Sequence, residues 1–346
     1  IGRRGRLVRL RGYGTTDLRP GFGAVTDSTL YDLASITKVM ATTTALMMLV
    51  DEGVLSLDDP VRQHIPEWRG TRAKESVTLR NLLLHNAGLA AHSPLWRELR
   101  GRDQYRRRIA GMSLQFEPGA ATVYSDFGII LLGLIIEQAS GRPLDVLLRE
   151  RLFGPLGMRD TGFNPLQWPY PTMWLDLDSE PVRTAPEPIM PRIAPTEVDT
   201  VFRMRHIRGQ VHDENAFAMG GVAGHAGLFS SARDMAVFAQ LMLNRGYYAG
   251  RRFIDPATID LFTMRPDPGS TRALGWDTPA EGYVGGPFSP ASYGHTGFTG
   301  TSIWIDPEQE LFVVLLTNRV NPTRANQRHV PLRRDVAAAI QRAITD

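Results

Sequence analysis

The feature that most constrains the fold is the placement of β-type segments at the two ends of the chain. Near the start, residues 6–14 alternate in character and end on glycines, which is typical of a strand. Near the end, residues 293–298 are extended, and residues 301–316 contain two β-type runs joined by a turn. We therefore expect the two ends of the chain to meet in one sheet.

The middle of the chain is mostly helical in pattern. Helices are predicted at residues 35–52, 78–88, 127–140, 142–157, 234–243, just after Asp255 and at 331–344. The longest apolar run, residues 127–136, is about half the length of a membrane span and indicates a buried core helix. We predict an α/β (α+β) fold with a discontinuous sheet domain, residues 1–59 plus 228–346. The mostly helical domain inserted into it, residues 60–227, contains a proline-rich excursion at 164–199.

Composition narrows the class of protein. The 346 residues are 42% hydrophobic and 22% charged, as in an ordinary globular protein, and the net charge is only +3. The basic cluster at residues 97–108 is typical of a solvated helix face, so nucleic-acid binding is not predicted. The chain has no cysteine, which excludes thiol catalysis and disulfides. It begins at Ile1 rather than Met, and the sequence leaves the compartment and the oligomeric state open.

A serine and a lysine three residues apart provide the main candidate for chemistry. Ser35-Ile36-Thr37-Lys38 opens the first helix-like run, and Asp32 is placed to cap it. Residues three apart share a helix face, so the Lys38 amine can reach the Ser35 hydroxyl. In a first helical turn, Ser35 would meet free backbone N–H groups that favour an oxyanion. A neutral lysine amine can take the serine proton.

The rarity of lysine strengthens this interpretation. Of the 39 basic residues, only Lys38 and Lys74 are lysines. Arginine stays protonated and cannot act as a base, so a lysine at this position indicates chemistry that arginine cannot perform. The structural alternative is a lysine that snorkels along a helix edge.

Several other polar residues have structural interpretations. His85 falls in the last turn of the predicted helix 78–88, where a histidine serves as a C-terminal cap. Ser125 and Asp126 precede the helix at 127–140 and fit an N-cap. Four residues could be assembled into a metal site: His206, His212, Asp213 and His225. Their spacing matches no pair of ligands on one helix face, so no metal site is predicted. No cofactor is predicted either.

Three short motifs stand in order along the chain: Ser35-x-x-Lys38, Tyr124-x-Asp126 and His295-Thr296-Gly297. Each is weak alone, whereas the ordered set is specific. It resembles the serine β-lactamase and penicillin-binding protein superfamily, in its class C-like branch of esterases, D-alanyl-D-alanine carboxypeptidases and class C β-lactamases. The likeness continues through four further stretches, at residues 82–89, 124–133, 155–158 and 227–231. The resemblance implies the β-lactamase-like serine hydrolase fold, with an antiparallel sheet flanked by helices.

The resemblance also implies roles for individual residues. Ser35 would be the nucleophile that forms an acyl-enzyme, and Lys38 and Tyr124 would share the general-base work. Water would then attack the ester, activated by Tyr124. The oxyanion hole would be the backbone N–H groups of Ser35 and Phe298, and His295 would complete the catalytic set.

The first departure from the family pattern is His295, where class C lactamases carry lysine. Thr296 and Gly297 follow it as substrate-binding positions. A histidine is only partly charged near neutral pH, so it would hold a substrate carboxylate less firmly. Arg324 is an alternative source of that charge, and a surface arginine is equally compatible with its position.

The second departure is Asp126, where the family has asparagine. An ionised carboxylate cannot donate a hydrogen bond to a substrate carbonyl. Near Lys38 it would favour the protonated amine, which makes Tyr124 the better candidate for the base. His212, Asp213 and Asn215 are expected to line the cleft opposite Tyr124.

The sequence therefore predicts a serine hydrolase that acts on an ester or a D-amino-acid amide. A carboxylesterase and a D-alanyl-D-alanine carboxypeptidase are ranked level, so the partner is a small-molecule or peptide substrate. The alternatives are a class C-like β-lactamase and a penicillin-recognising sensor domain with little turnover. The chain has no G-x-S-x-G motif, which excludes an α/β-hydrolase elbow.

Overall fold

The β-type segments at the two ends of the chain do meet in one sheet. A computed structural model describes residues 1–168, 189–266, 270–279 and 288–344. Its strands are β1 (Gly2–Arg3), β2 (Arg6–Leu7), β3 (Tyr31–Asp32), β4 (Gly162–Phe163), β5 (Val198–Asp199), β6 (Arg205–His206), β7 (Leu228–Ser230), β8 (Tyr247–Tyr248), β9 (Arg251–Arg252), β10 (Tyr293–Thr296), β11 (Ser302–Asp306) and β12 (Leu311–Leu315). The main sheet is antiparallel with the order β10–β11–β12–β1–β2, and a second sheet has the order β3–β7–β4.

Helices cover the main sheet and fill the middle of the chain. They are α1 (Thr44–Asp51), α2 (Val61–His64), α3 (Arg72–Glu75), α4 (Leu79–Leu83), α5 (Arg102–Ala110), α6 (Asp126–Ser140), α7 (Leu144–Leu148), α8 (Glu214–Ala218), α9 (Ala232–Leu243), α10 (Pro256–Thr263) and α11 (His329–Ala343). Wider π-helical turns occupy Lys38–Thr43 and Arg149–Phe153. Shorter 3₁₀ turns lie at Leu95–Arg97, Pro165–Gln167 and Met190–Arg192. Two of the predicted caps are confirmed, since Thr78 caps α4 and Asp255 caps α10.

The predicted hairpin near the chain end is confirmed, and it separates two layers of helices. In its register Ser302 lies opposite Leu315. Successive side chains of a strand point to opposite faces. Phe312 therefore enters the main core, while Leu311 packs with Ile340 of α11 on the other face of the sheet.

Of the predicted strand at residues 6–14, only Arg6–Leu7 forms a strand, β2. A tight turn at Arg4 and Gly5, with φ angles of 51° and 70°, instead joins the two-residue strands β1 and β2. Two consecutive positive φ angles are the backbone geometry of a two-residue hairpin loop. Leu7 and Val8 are exposed, so the alternation in the sequence does not mark a buried face.

Helix α6 runs through the core and is apolar on almost every side, as the sequence predicted. An added Cβ at Gly133 would lie 3.0 Å from the Cα of Gly224, so these two glycines let the helix and a later loop touch. Among the described residues no single helix is long and apolar enough to cross a membrane. Within the described ranges, one pair of segments, α6 with Leu144–Phe153, passes that test of length and composition together, and it is bent by 71°.

The division into two domains stays a prediction. One continuous core joins residues of both expected units, such as Leu46, Ile130 and Ile303. Strand β4, which falls in the expected insertion, pairs with β7 of the expected sheet domain. Of the proline-rich excursion at 164–199, residues 169–188 lie outside the described part of the chain.

Candidate active site

Ser35 lies on a tight turn that leads from strand β3 into the first helix. Asp32 is not the helix cap that the sequence suggested, because it belongs to β3 and its side chain folds the turn instead. Its Oδ1 accepts from the Ala34 N–H at 2.8 Å, and its Oδ2 accepts from the His212 N–H at 2.6 Å. Ala34 has a φ of 47°, a strained value for a residue with a side chain. The turn therefore presents Ser35 just before the helix begins.

Lys38 reaches Ser35 as the spacing predicted. Its Nζ donates to Ser35 Oγ at 2.9 Å and to the His225 carbonyl at 3.2 Å, and it lies 2.8 Å from Asp126 Oδ1. The side chain is 1% exposed, so the snorkelling alternative is wrong. Burial opposes the charged form, but Asp126 and Tyr124 outweigh it and hold the pKa of Lys38 above its ordinary value. Lys38 is therefore an ammonium group in the resting site.

The other lysine shows that rarity alone does not mark a catalytic residue. Lys74 is also buried, and its Nζ donates to the carbonyls of Ala110 at 2.6 Å and Met112 at 2.7 Å. It also lies 4.8 Å from the Trp68 ring centroid. A compact ammonium with three donors fits this cluster of carbonyls at the end of α5, so Lys74 has a structural role.

Tyr124 packs directly on the Ser35–Lys38 pair. Lys38 Nζ lies 4.8 Å from its ring centroid, so the ammonium and the phenol interact directly. Burial raises the pKa of Tyr124, while the Lys38 ammonium opposes that rise. His85 and Arg272 pack on the same ring, with the His85 ring centroid at 4.7 Å and the guanidinium carbon of Arg272 at 5.0 Å.

The sequence suggested that His85 caps its helix, but its side chain does not do so. It has a φ of 55°, and its Nδ1 accepts from the Ser125 N–H at 3.1 Å. Its pKa lies well below the ordinary value, mainly because the ring is buried. His85 therefore supports Tyr124 as a neutral ring. Ser125 precedes α6 but caps nothing, since its hydroxyl donates to the Ala90 carbonyl at 2.6 Å.

His295 lies on β10, with its ring centroid 5.9 Å from that of Tyr124. Burial, reinforced by Lys38 and Arg272 against the opposing Asp277, lowers its pKa to about 4. The ring is therefore neutral at neutral pH, and its Nδ1 donates to the Thr296 carbonyl at 2.8 Å. The expectation of a partly charged histidine is corrected, because burial disfavours the imidazolium.

The loop after β10 is fastened to the Ser35 turn. Thr299 Oγ1 donates to the Asp32 carbonyl at 2.7 Å, and Thr301 Oγ1 donates to the Leu33 carbonyl at 3.0 Å. An added Cβ at Gly297 would lie 2.4 Å from the Leu33 carbonyl oxygen, so only glycine allows this approach. Across the described chain, no intramolecular hydrogen bond is made by the backbone N–H groups of Ser35 or Phe298.

Asp126 is ionised, as its predicted pairing with Lys38 requires. Burial opposes ionisation, but Lys38 and His92 hold the pKa of this carboxyl far below its usual range. His92 Nδ1 lies 3.5 Å from Asp126 Oδ2, and the pKa of His92 is raised by that contact. The ring of His225, whose carbonyl accepts from Lys38, has its Nε2 2.9 Å from Asp213 Oδ1.

His212 contacts Phe298, and a glutamate joins His212 to Arg324. The His212 ring stacks on Phe298 with centroids 5.7 Å apart, and its Nε2 lies 3.0 Å from Glu197 Oε2. Arg324 pairs with the same carboxylate at 2.5 Å and with Glu214 at 2.6 Å. Its charge is therefore balanced by two carboxylates, and Arg324 is exposed, as the surface interpretation of the sequence has it.

Asn215 is a buried structural residue, so its expected place in the cleft is wrong. Its Oδ1 accepts from the Trp96 N–H at 3.0 Å and from the Tyr105 hydroxyl at 2.9 Å. Asp213 caps α8, where it accepts from the Ala216 N–H at 2.7 Å. The described residues contain no group of three or more side chains that could hold a metal ion.

The sequence analysis assigned Ser35, Lys38, Tyr124, Asp126 and the segment 295–298 to one site. It did not assign five residues that lie next to them in the structure. The missed residues are His92, Glu197, Arg272, Arg319 and Arg333. None of them stands at a motif spacing from a site residue. Only the tertiary fold brings them to the site.

A serine held against a buried lysine and a tyrosine, at the edge of this antiparallel sheet, defines a serine hydrolase of β-lactamase-like fold. The Beta-lactamase family model matches residues 1–338, and the chain belongs to that family. The names of the family and of similar proteins identify the chain as a hydrolase of the β-lactamase and penicillin-binding protein type.

Similar proteins extend over nearly the same length. A protein of Escherichia coli (strain K12), named as a candidate D-alanyl-D-alanine carboxypeptidase, is 36% identical over 338 residues, which cover 88% of this chain and 73% of that protein. A penicillin-binding protein homologue from Caulobacter crescentus superposes with a TM-score of 0.71 at 23% identity, covering 96% and 88% of the two chains. EstCE1, described as a hydrolase with promiscuous acyltransferase activity, gives 0.68 at 23% identity, covering 96% and 91%. At these identities the two structures show the fold alone.

Proposed function

We propose that the chain cleaves an ester or a D-amino-acid amide through an acyl-enzyme on Ser35. The observation that carries this proposal is the 2.9 Å contact from Lys38 Nζ to Ser35 Oγ, within a pocket shared by Tyr124 and Asp126. A serine hydroxyl needs a neighbouring group that takes its proton, and this pocket supplies ionisable neighbours in hydrogen-bond reach.

Tyr124 is the base in this mechanism, and Lys38 sets its charge. The base is the phenolate form of Tyr124, a minor form at neutral pH because burial raises the pKa of this hydroxyl. Ser35 Oγ attacks the substrate carbonyl carbon while the Oγ proton passes to this phenolate. Asp126 keeps Lys38 protonated, and the ammonium stabilises the phenolate. When the tetrahedral intermediate collapses, its bond to the leaving oxygen or nitrogen breaks. The proton on Tyr124 then goes to that leaving group.

The oxyanion of the intermediate is held by the backbone N–H groups of Ser35 and Phe298, which have no partner among the described residues. In the second step Tyr124 takes a proton from water, and the resulting hydroxide attacks the acyl carbon. The acid product leaves, and Ser35 Oγ recovers its proton from Tyr124.

Charge balance favours a neutral ester substrate. His295 is neutral at neutral pH, since its pKa is lowered to about 4, and Arg324 is paired with two glutamates. Neither offers a free cation to a substrate carboxylate.

A D-alanyl-D-alanine carboxypeptidase is the second candidate, favoured by the name of the 36% identical relative. Such a substrate ends in a carboxylate. Arg272, which lies 5.0 Å from the Tyr124 ring, is the group that would meet it, at the cost of competing with the partner carboxylate of Asp277.

Intact-mass spectrometry with p-nitrophenyl acetate and with a penicillin, beside Ser35→Ala, tests the proposal. We expect ester turnover that Ser35→Ala abolishes. A lasting penicilloyl adduct on Ser35, with release of D-alanine from an acyl-D-alanyl-D-alanine peptide, would identify the carboxypeptidase. If neither reagent adds mass nor turns over, the role of Ser35 as nucleophile is refuted.

A further inference from the structure

An arginine of the terminal helix α11 binds the carbonyl oxygen of the peptide bond between Gly297 and Phe298. Arg333 Nη2, on α11, donates to the Gly297 carbonyl at 3.0 Å and to the Thr301 carbonyl at 2.6 Å. Those carbonyls lie at the two ends of a turn that also contains a hydrogen bond from the Gly297 N–H to the Thr301 carbonyl, at 2.8 Å. One guanidinium group therefore closes the loop that carries Phe298.

We propose that Arg333 is a positioning residue for the oxyanion hole, acting through the Gly297–Phe298 peptide. This inference rests on the proposed function, in which the Phe298 N–H donates to the oxyanion. In a trans peptide the C=O and the N–H of one unit point in opposite directions. A cation that binds the Gly297 oxygen therefore aims the Phe298 N–H away from α11, and it draws electron density from the amide, which makes the N–H a stronger donor.

The neighbouring peptide is held in a similar way. Arg319 Nε donates to the Phe298 carbonyl at 2.6 Å, and its guanidinium carbon lies 4.2 Å from the Phe298 ring centroid. The His212 ring also stacks on Phe298, with centroids 5.7 Å apart. Two side chains therefore contact the Phe298 ring and one of them binds its carbonyl, although the residue is 48% exposed. Such contacts around a half-exposed aromatic residue are consistent with a need to fix the position of the Phe298 backbone N–H.

The alternative is that Arg333 only ties α11 to the sheet. That helix already packs on the sheet through apolar contacts, such as Ile340 with Leu311 and Val313. A tie of this kind would affect stability, whereas the proposed role affects a step in which negative charge develops on the substrate oxygen. The two roles differ in what they change, and so they can be separated by kinetics.

The experiment compares Arg333→Gln with Arg334→Gln, a matched control on the next, exposed residue of α11. For p-nitrophenyl acetate we expect Arg333→Gln to lower kcat/KM about tenfold, with KM within about twofold of the wild type. Removing one oxyanion donor outright typically costs about 10²–10³ in kcat, and a weakened donor costs less. The inhibition constant of an arylboronic acid, whose adduct with serine is tetrahedral, should rise by the same factor. Arg334→Gln should change neither quantity.

The proposal is overturned if Arg333→Gln matches Arg334→Gln, or if only KM changes, or if boronate affinity is unaffected while kcat falls. Should Arg333→Gln fail to fold, Arg333→Met is measured in its place, and loss of the folded state there also overturns the proposal in favour of a structural role. Failure of the proposed function is separate: it would appear as wild-type protein without ester turnover, or as turnover that survives in Ser35→Ala.

Discussion

Replacing Asp126 by asparagine should move the pH dependence of hydrolysis to lower pH. Asp126 Oδ1 lies 2.8 Å from Lys38 Nζ, and the two side chains are 17% and 1% exposed. At an effective dielectric constant of about 20, unit charges at this separation attract by roughly 6 kcal/mol. One pKa unit corresponds to about 1.4 kcal/mol, so this attraction is equivalent to about 4 pKa units.

The sign follows from the influences acting on Lys38. Burial lowers its pKa and Asp126 raises it, so the uncharged amide of the Asp126→Asn variant leaves burial to dominate. Because the amide oxygen still accepts a hydrogen bond from the amine, we expect the pKa of Lys38 to fall by about 2–3 units rather than by the full amount. Lys38 would then lose its proton at a lower pH and could itself serve as a base.

The assay is the pH dependence of kcat/KM for p-nitrophenyl acetate, with thermal unfolding to confirm that each variant is folded. The ascending limb should move by about 2 pH units toward acid in Asp126→Asn, because Lys38 with its lowered pKa replaces Tyr124 as the base. Asp103→Asn removes a carboxylate that is 76% exposed on α5 and serves as the matched control. If the profiles of the two variants coincide with that of the wild type, the ion pair does not govern the base, and the reasoning is refuted.

Two further predictions concern stability. An added Cβ at Gly224 would lie 2.3 Å from the backbone oxygen of Ile129, so Gly224→Ala should lower the free energy of unfolding by more than about 2 kcal/mol in urea titration. The matched variant Gly128→Ala has its nearest neighbour at 3.6 Å and should be neutral or up to about 1 kcal/mol stabilising, and equal effects would contradict the close packing. Burial raises the pKa of Asp234 to about 7, so between pH 4 and pH 7 the native state holds a proton that the unfolded state has released. The stability that comes from this difference in proton binding is fully present below pH 4 and is lost as the pH rises through 7. Asp234→Asn should therefore gain up to about 4 kcal/mol relative to the wild type between pH 4 and pH 8, and parallel stability curves for the two proteins would show that the carboxyl is not perturbed.

The parts of the site that the sequence could predict depend on local spacing. Ser35 and Lys38 are three residues apart, so one helical turn brings them together wherever the helix packs. The hairpin near the chain end and the cap at Thr78 depend equally on neighbours in sequence.

The remaining features depend on contacts between distant segments. Asp32 looks like a helix cap in the sequence, but the pairing of β3 with β7 holds its backbone in a strand. His85 looks like a C-terminal cap, yet its ring turns to a backbone N–H forty residues later. Arg272 and Arg333 carry no spacing signal, because an arginine far away in the chain can reach the site only once the sheet has formed.

The burial of both lysines has a consequence for the chemistry used to study this protein. Acyl donors such as p-nitrophenyl acetate modify accessible lysine amines in most proteins, which obscures a labelled serine. Here the Lys38 side chain is 1% exposed and Lys74 is 6% exposed, so neither lysine amine competes readily for the reagent in the folded state. A single acetyl group added to the native protein is therefore not expected on a lysine side chain. Acetylation of both lysines would instead report that the chain had opened.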